Sequence, residues 1–199
     1  MTQTDQDHPS SSSPPVTTII LIGLRGSGKS TIGRLLAERL NNGCQFIDLD
    51  DLVLVSFKES TVREVWSQHG QDLWRETECR IAIEQLESSD HQEPRRIIAL
   101  GGGTPMIPAV RKRLLELKTD SSIRIIYLRG EPGILFDRLD DETDDRPALT
   151  DWPDLKREIT TVFELRDPTY LTLGDHIIEL SRDEAIDETI RRTMISVYG

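Results

Sequence analysis

Short, continuous apolar runs alternate with helix-periodic stretches along most of this chain. Thr17–Ile22 (TTIILI), Cys44–Asp48, Arg96–Leu100, Ile123–Leu128 and His176–Leu180 are rich in β-branched residues and bounded by glycine or polar clusters, which predicts five strands. Between Ser30 and Leu40 the apolar positions Ile32, Leu35, Leu36, Ala37 and Leu40 follow helical spacing. Further helices are expected over Asp50–Phe57, Val62–His69, Asp72–Leu86, Pro108–Leu117, Pro132–Leu139, Leu155–Leu165 and Glu184–Tyr198. Strands that alternate with helices, and that are apolar throughout, indicate an α/β fold with a parallel sheet covered on both faces. Val16–Gly199 contains no internal repeat and no linker-like stretch, so a single domain is expected there.

Two stretches depart from the pattern. Met1–Pro15 (MTQTDQDHPSSSSPP) has too little apolar surface to offset the entropy of ordering and is expected to be a disordered tail. Asp140–Asp154 (DDETDDRPALTDWPD) is acidic, contains two prolines and has Arg146 in its middle. It reads as a solvated surface loop or as a mobile lid over a pocket.

Charge narrows the function classes. Among 199 residues, 24 basic against 35 acidic side chains leave a formal net charge of −11. A binder of bulk nucleic acid or of anionic membrane would carry a basic excess, so neither is expected. The apolar run Thr17–Leu24 is too short to cross a bilayer, and the first fifteen residues lack the basic start of a signal peptide. Cys44 and Cys79 show no metal-binding spacing and suit core packing in a reducing compartment. A cytoplasmic enzyme or binding protein is the resulting expectation.

Gly23-Leu24-Arg25-Gly26-Ser27-Gly28-Lys29-Ser30 fits G-x-x-x-x-G-K-[ST], between a predicted strand and a predicted helix. Its glycines let several backbone N–H groups turn toward one phosphate. Lys29 can bridge β- and γ-phosphates, and the Ser30 hydroxyl can ligate Mg²⁺. The helix behind the loop adds the positive end of its dipole. A nucleotide triphosphate is therefore the expected ligand.

The acceptor is less direct. The only asparagines, Asn41 and Asn42, do not begin the N-K-x-D element of guanine-specific GTPases. The strand Arg96–Leu100 ends in Gly101-Gly102-Gly103 and Ile123–Leu128 ends in Arg129-Gly130, so neither supplies a metal-anchoring carboxylate. The second strand does, through Asp48 and Asp50. In a doubly wound sheet these emerge at the ligand-binding edge. Asp48 suits the metal shell, directly or through water, and Asp50 suits an acceptor hydroxyl or its proton. Asp50 or Asp51 simply capping a helix at Leu52 is the alternative; an N-cap role for one of the three aspartates is expected in either case and does not exclude the other roles. Three consecutive glycines cost backbone entropy, which points to close approach of backbone to a small ligand.

Taken together, GLRGSGKSTIGRLLAERL, FIDLDD, LWRETE, ALGGGTP, RPAL and LRDPTY resemble shikimate kinase in order and spacing, over Val16 to Val197. The resemblance implies a three-layer α/β/α sandwich with a central five-stranded parallel sheet, the nucleoside monophosphate kinase-like P-loop fold. It implies transfer of the γ-phosphoryl group of ATP, with Mg²⁺, to the 3-hydroxyl of shikimate by a monomer. By motif, Gly26, Ser27, Gly28, Lys29, Ser30 and Thr31 hold the nucleotide, and Ser30 and Asp48 the metal. Asp50 holds the substrate hydroxyls and is the candidate base. Arg75 and Arg166 pair with the substrate carboxylate, Glu78 holds Arg75, and Gly101, Gly102 and Gly103 line the shikimate pocket. Arg146 is the lid arginine that reaches the phosphates, and Arg138 resembles the arginine near adenine. An acidic protein needs such local arginines, because the guanidinium forks onto a carboxylate.

The chain departs from the family pattern in Trp74, where phenylalanine is common, in Ala148, where leucine is common, and in its acidic lid and serine-proline tail. Two other readings remain: a kinase for gluconate or another small polyol or nucleotide, and a non-catalytic nucleotide-binding regulator. The presence of Lys29, Asp50, Arg75 and Arg166 counts against the regulator.

Overall fold

The computed structural model describes residues 16–41, 43–59, 61–87, 95–140 and 154–198. The expected tail and residues 141–153, including Arg146, lie outside the described residues. The elements in chain order are β1 (Thr18–Ile22), α1 (Lys29–Leu40), β2 (Gln45–Asp48), α2 (Leu49–Phe57), α3 (Val62–His69), α4 (Gln71–Glu87) and β3 (Arg96–Ala99). A 3-10 turn (Thr104–Met106) follows, then α5 (Pro108–Leu117), β4 (Ile123–Arg129), α6 (Pro132–Asp140), α7 (Leu155–Leu173), β5 (His176–Glu179) and α8 (Ile186–Tyr198).

The five strands pair in parallel in the order β2-β3-β1-β4-β5. Central β1 and β3 are buried along their whole length, as their unbroken apolar runs require, whereas edge strands β2 and β5 bury fewer positions. Successive side chains of a strand point to opposite faces. Ile20, Ile22, Ile98, Leu100, Ile125 and Tyr127 join a cluster with residues of α2 to α7, such as Leu114 and Tyr170. Ile19, Leu21, Ile97, Ile126 and Leu128 join a second cluster with Ile32 and Leu36 of α1 and Ile190 and Val197 of α8. The fold is therefore the expected α/β/α sandwich. Cys44 and Cys79 are free thiols, each half-buried against one of these clusters. Among the described residues no helix is long and apolar enough to cross a membrane.

Strand order positions the site. The connection from β1 leads across β3 to β2, and the connection from β3 leads across β1 to β4. Loops leaving two neighbouring parallel strands in opposite directions open a crevice at their carboxyl ends. The phosphate loop and the triple glycine are those two loops.

Two local expectations are corrected. The helix after β2 begins at Leu49, and its cap is Asp48, whose side chain accepts from the Asp50 N–H; Asp50 and Asp51 belong to the first turn. The helix expected to end at Leu165 continues to Leu173 through Pro168, so Arg166 stands in mid-helix. Proline deletes one helical donor and disfavours helical geometry in the residue before it. Here Tyr170 and Leu173, both fully buried, carry the helix onward against the core.

Gly33 shows how tightly α1 sits on the sheet. A Cβ there would fall 2.3 Å from Phe46 Cε2 and 3.2 Å from Leu21 Cδ1. Helix propensity alone favours alanine over glycine by about 1 kcal/mol. Overpacking of a close contact costs about 1–3 kcal/mol and sets the sign. Gly33→Ala is therefore expected to lower the thermal unfolding midpoint, measured by circular dichroism, despite its better helix propensity.

Candidate active site

The phosphate loop wraps the start of α1. Gly28 occupies the N-cap position with φ 81° and ψ 17°, a left-handed conformation that glycine adopts without a side-chain penalty. Ser27 is fully buried. Lys29 is mostly buried, and its Nζ donates to the Leu24 carbonyl at 2.9 Å. Ser30 Oγ donates to Asp48 Oδ2 at 2.5 Å, which joins the end of β2 to the loop. Lys29, Ser30 and Asp48 border a cavity whose walls also include Gly26, Gly28, Thr31 and Arg138.

A second, smaller cavity opens beside it. Arg75, Glu78, Gly102, Gly103, Arg166, Trp66 and Trp74 line it. Arg75 Nη1 donates to Glu78 Oε2 at 2.6 Å, and Thr104 Oγ1 donates to Glu78 Oε1 at 2.5 Å, so this almost fully buried carboxylate is held from both sides. Arg166 Nη1 donates to the Gly102 carbonyl at 2.7 Å. The two cavities share Arg25, Asp50 and Leu139. Asp50 thus stands where a group in one cavity would meet a group in the other.

The triple glycine has a steric explanation within the protein itself. A Cβ on Gly101 would lie 2.5 Å from Asp50 Oδ1 and 2.9 Å from Glu78 Oε1. One on Gly102 would lie 3.2 Å from the Arg25 backbone nitrogen, and one on Gly103 would lie 2.6 Å from Arg75 Nη1. Gly102 and Gly103 line the smaller cavity, while Gly101 is buried behind it. The backbone approaches the protein's own polar groups, which in turn face the cavities.

The family model for shikimate kinase matches residues 25–197. This chain belongs to the shikimate kinase family. It is 32% identical over 179 residues to the shikimate kinase 2 of Pectobacterium carotovorum, covering 88% of this chain and 95% of that one. A shikimate kinase of Bacteroides thetaiotaomicron superposes with a TM-score of 0.72 at 28% identity, covering 90% and 97% of the two chains. A shikimate kinase of Acinetobacter baumannii in complex with shikimate shares the fold, with a TM-score of 0.76 at 23% identity and 90% and 91% coverage.

Arg25 and Trp66, which line the smaller cavity, and Tyr170, which bonds the Gly102 carbonyl, had no role assigned from the sequence. Arg25 fills a free position of the phosphate-loop pattern, yet lines both cavities and pairs with buried Glu158 at 3.6 Å. Trp66 reads as an ordinary amphipathic helix position. Tyr170 follows Arg166 at helical i+4 spacing, but that relation is visible only once the helix is known to pass Pro168.

Asp167, next to Arg166, fastens α7 to the sheet. It accepts from Arg129 Nε at 2.8 Å, Arg129 Nη2 at 3.1 Å and Tyr127 OH at 2.7 Å. Burial opposes ionisation of Asp167, but the hydrogen bonds from Arg129 and Tyr127 and the Arg129 charge outweigh it and hold the carboxyl below its ordinary value. The unfolded chain ionises its aspartates near pH 3.9. The contribution of Asp167 to stability is thus present above about pH 4 and is lost as pH falls through its lower folded value. Urea unfolding at pH 7 and pH 3 checks this: Asp167→Asn is expected to destabilise the protein at pH 7, with the difference shrinking at pH 3.

Proposed function

We propose that this protein is a shikimate kinase that transfers the γ-phosphoryl group of ATP to the 3-hydroxyl of shikimate, giving shikimate 3-phosphate. The observation that carries the reading is the position of Asp50 at the junction of the cavities, with Lys29 on one side and the Arg75 and Arg166 pair on the other. In this reading a small ring acid enters the smaller cavity with its carboxylate toward the two arginines and its hydroxyls toward Asp50. ATP takes the larger cavity, its phosphates on the N–H groups of Gly26 to Thr31 and the dipole of α1.

Asp50 accepts the proton of the 3-hydroxyl as the hydroxyl oxygen attacks the γ-phosphorus, and the bond from that phosphorus to the β,γ-bridging oxygen breaks to release ADP. Lys29 exchanges the Leu24 carbonyl for phosphate oxygens and neutralises charge that develops on the transferring group. The paired oxygens of Ser30 and Asp48 are a hard donor set that would hold Mg²⁺. Mg²⁺, when bound, supplies charge neutralisation on the β- and γ-phosphates. Arg138 borders the nucleotide cavity, and for Arg146 the support is the RPAL motif. All these residues belong to one chain, so a monomer suffices, and a reducing cytoplasm suits its free cysteines.

The reading is tested by coupled ADP-release assays with shikimate, gluconate and nucleoside monophosphates as acceptors, where turnover with shikimate alone is expected. Lys29→Ala is expected to lower turnover by about a hundredfold or more while circular dichroism stays unchanged. For Arg75, alanine would strip buried Glu78 of its cation, so lysine is the informative substitution. Arg75→Lys keeps the charge but loses the fork. It is expected to raise the shikimate KM about tenfold or more, with the ATP KM little changed.

A further inference from the structure

The Gly102 carbonyl accepts two hydrogen bonds from one face of α7: Arg166 Nη1 at 2.7 Å and, one turn on, the Tyr170 hydroxyl. Gly101 to Gly103 have no side chains, so the rest of the protein can grip this segment only through backbone groups. The position of Gly102 matters on both sides. The face of Gly102 where a Cβ would stand lies against the Arg25 backbone of the phosphate loop, and that of Gly103 against the Arg75 guanidinium. A shift of the Gly102 carbonyl would therefore move the loop relative to Arg75 and Arg166 together. Tyr170 is fully buried, with its ring 5.1 Å from that of Tyr127, so its hydroxyl has little freedom to turn elsewhere. Burial pushes its pKa up to about 12, which keeps the hydroxyl a proton donor over the working range of an enzyme.

We propose that Tyr170 is a positioning residue for acceptor recognition: its hydroxyl holds the Gly102 carbonyl so that Arg166 and Arg75 keep the spacing that a carboxylate needs. Tyr170 acts through Gly102 and Arg166 and does not itself contact the acceptor. A carbonyl oxygen has two lone pairs. With the hydroxyl present both are used, and the Arg166 guanidinium is fixed in one orientation with further N–H donors for the anion. Without it, Arg166 alone must hold the loop, and any anion that draws Arg166 away leaves the carbonyl unmade, a cost that then opposes acceptor binding. The nucleotide-side groups Lys29, Ser30 and Asp48 belong to α1 and the end of β2, not to the clamp itself.

The inference rests on shikimate as acceptor, and the experiment separates the two. Steady-state kinetics and shikimate binding, followed through Trp66 and Trp74 fluorescence, are compared for the parent enzyme, Tyr170→Phe and the control Tyr127→Phe. Tyr127→Phe also removes one buried hydroxyl from the same ring pair, but one that donates to Asp167 instead. Tyr170→Phe is expected to raise the shikimate KM and dissociation constant about three- to tenfold. Its kcat is expected to fall by less than its KM rises, with the ATP KM within about twofold. Tyr127→Phe is expected to lower the unfolding temperature but leave shikimate binding within about twofold. An unchanged shikimate constant in Tyr170→Phe, or an equal rise in Tyr127→Phe, overturns the positioning role while leaving the kinase assignment intact. Fluorescence titration reads the binding arm even where a variant turns over poorly. Failure of the parent enzyme to phosphorylate shikimate overturns the acceptor reading and this inference with it.

Discussion

Parallel pairing of β1 with β3 is the constraint from which the rest of the site follows. Leu21 stands opposite Ala99, and the Leu100 N–H continues the ladder to the Leu21 carbonyl, so both strands end at the same height. The phosphate loop and the triple glycine then leave the sheet side by side, close enough that a methyl group on Gly102 would crowd the Arg25 amide. Parallel strands require crossovers, and the two crossovers here run in opposite directions. The crevice they leave holds both cavities, and the end of neighbouring β2 brings Asp48 and Asp50 to its rim.

The protein concentrates cations locally against an overall net charge of −11. Four half-buried arginines in this region are braced. Arg75 leans on Glu78, Arg25 on Glu158 and Arg129 on Asp167, while the neutral Gly102 carbonyl holds Arg166. Desolvating such pairs costs free energy that their mutual attraction offsets only when the geometry is good. Their return here is placement: long, rotamer-rich side chains are held in one orientation before any ligand arrives. Arg129 and Asp167 line neither cavity, yet their brace anchors the helix that carries Arg166 and Tyr170.

The same economy of space explains the glycines. Three carboxylate or guanidinium groups converge where Asp50, Glu78 and Arg75 surround Gly101 and Gly103, and only residues without Cβ fit among them. A preference of backbone for a small ligand is one way to account for such a cluster. The packing found here is another, and it makes the glycines a condition for the polar groups to reach the cavities at all.

By itself, the amino-acid sequence determined the order of the elements, the parallel α/β class and the phosphate loop, because each depends on local periodicity or on a short motif with its own backbone requirement. The pairing of Ser30 with Asp48 and the division of candidate residues between two cavities also follow the motif order closely. The length of α7 was not legible. Pro168 is a local stop signal, overridden because burial of Tyr170 and Leu173 outweighs the lost helical bond. Nor was the cap of α2, where three neighbouring aspartates compete and tertiary contact with Ser30 selects Asp48. Arg25 and Tyr170 stand inside recognisable motifs and Trp66 in an amphipathic helix, yet what each touches came only from tertiary structure, for a physical reason: their partners lie far away in the chain, and sequence spacing carries no information about which distant helix packs on which loop.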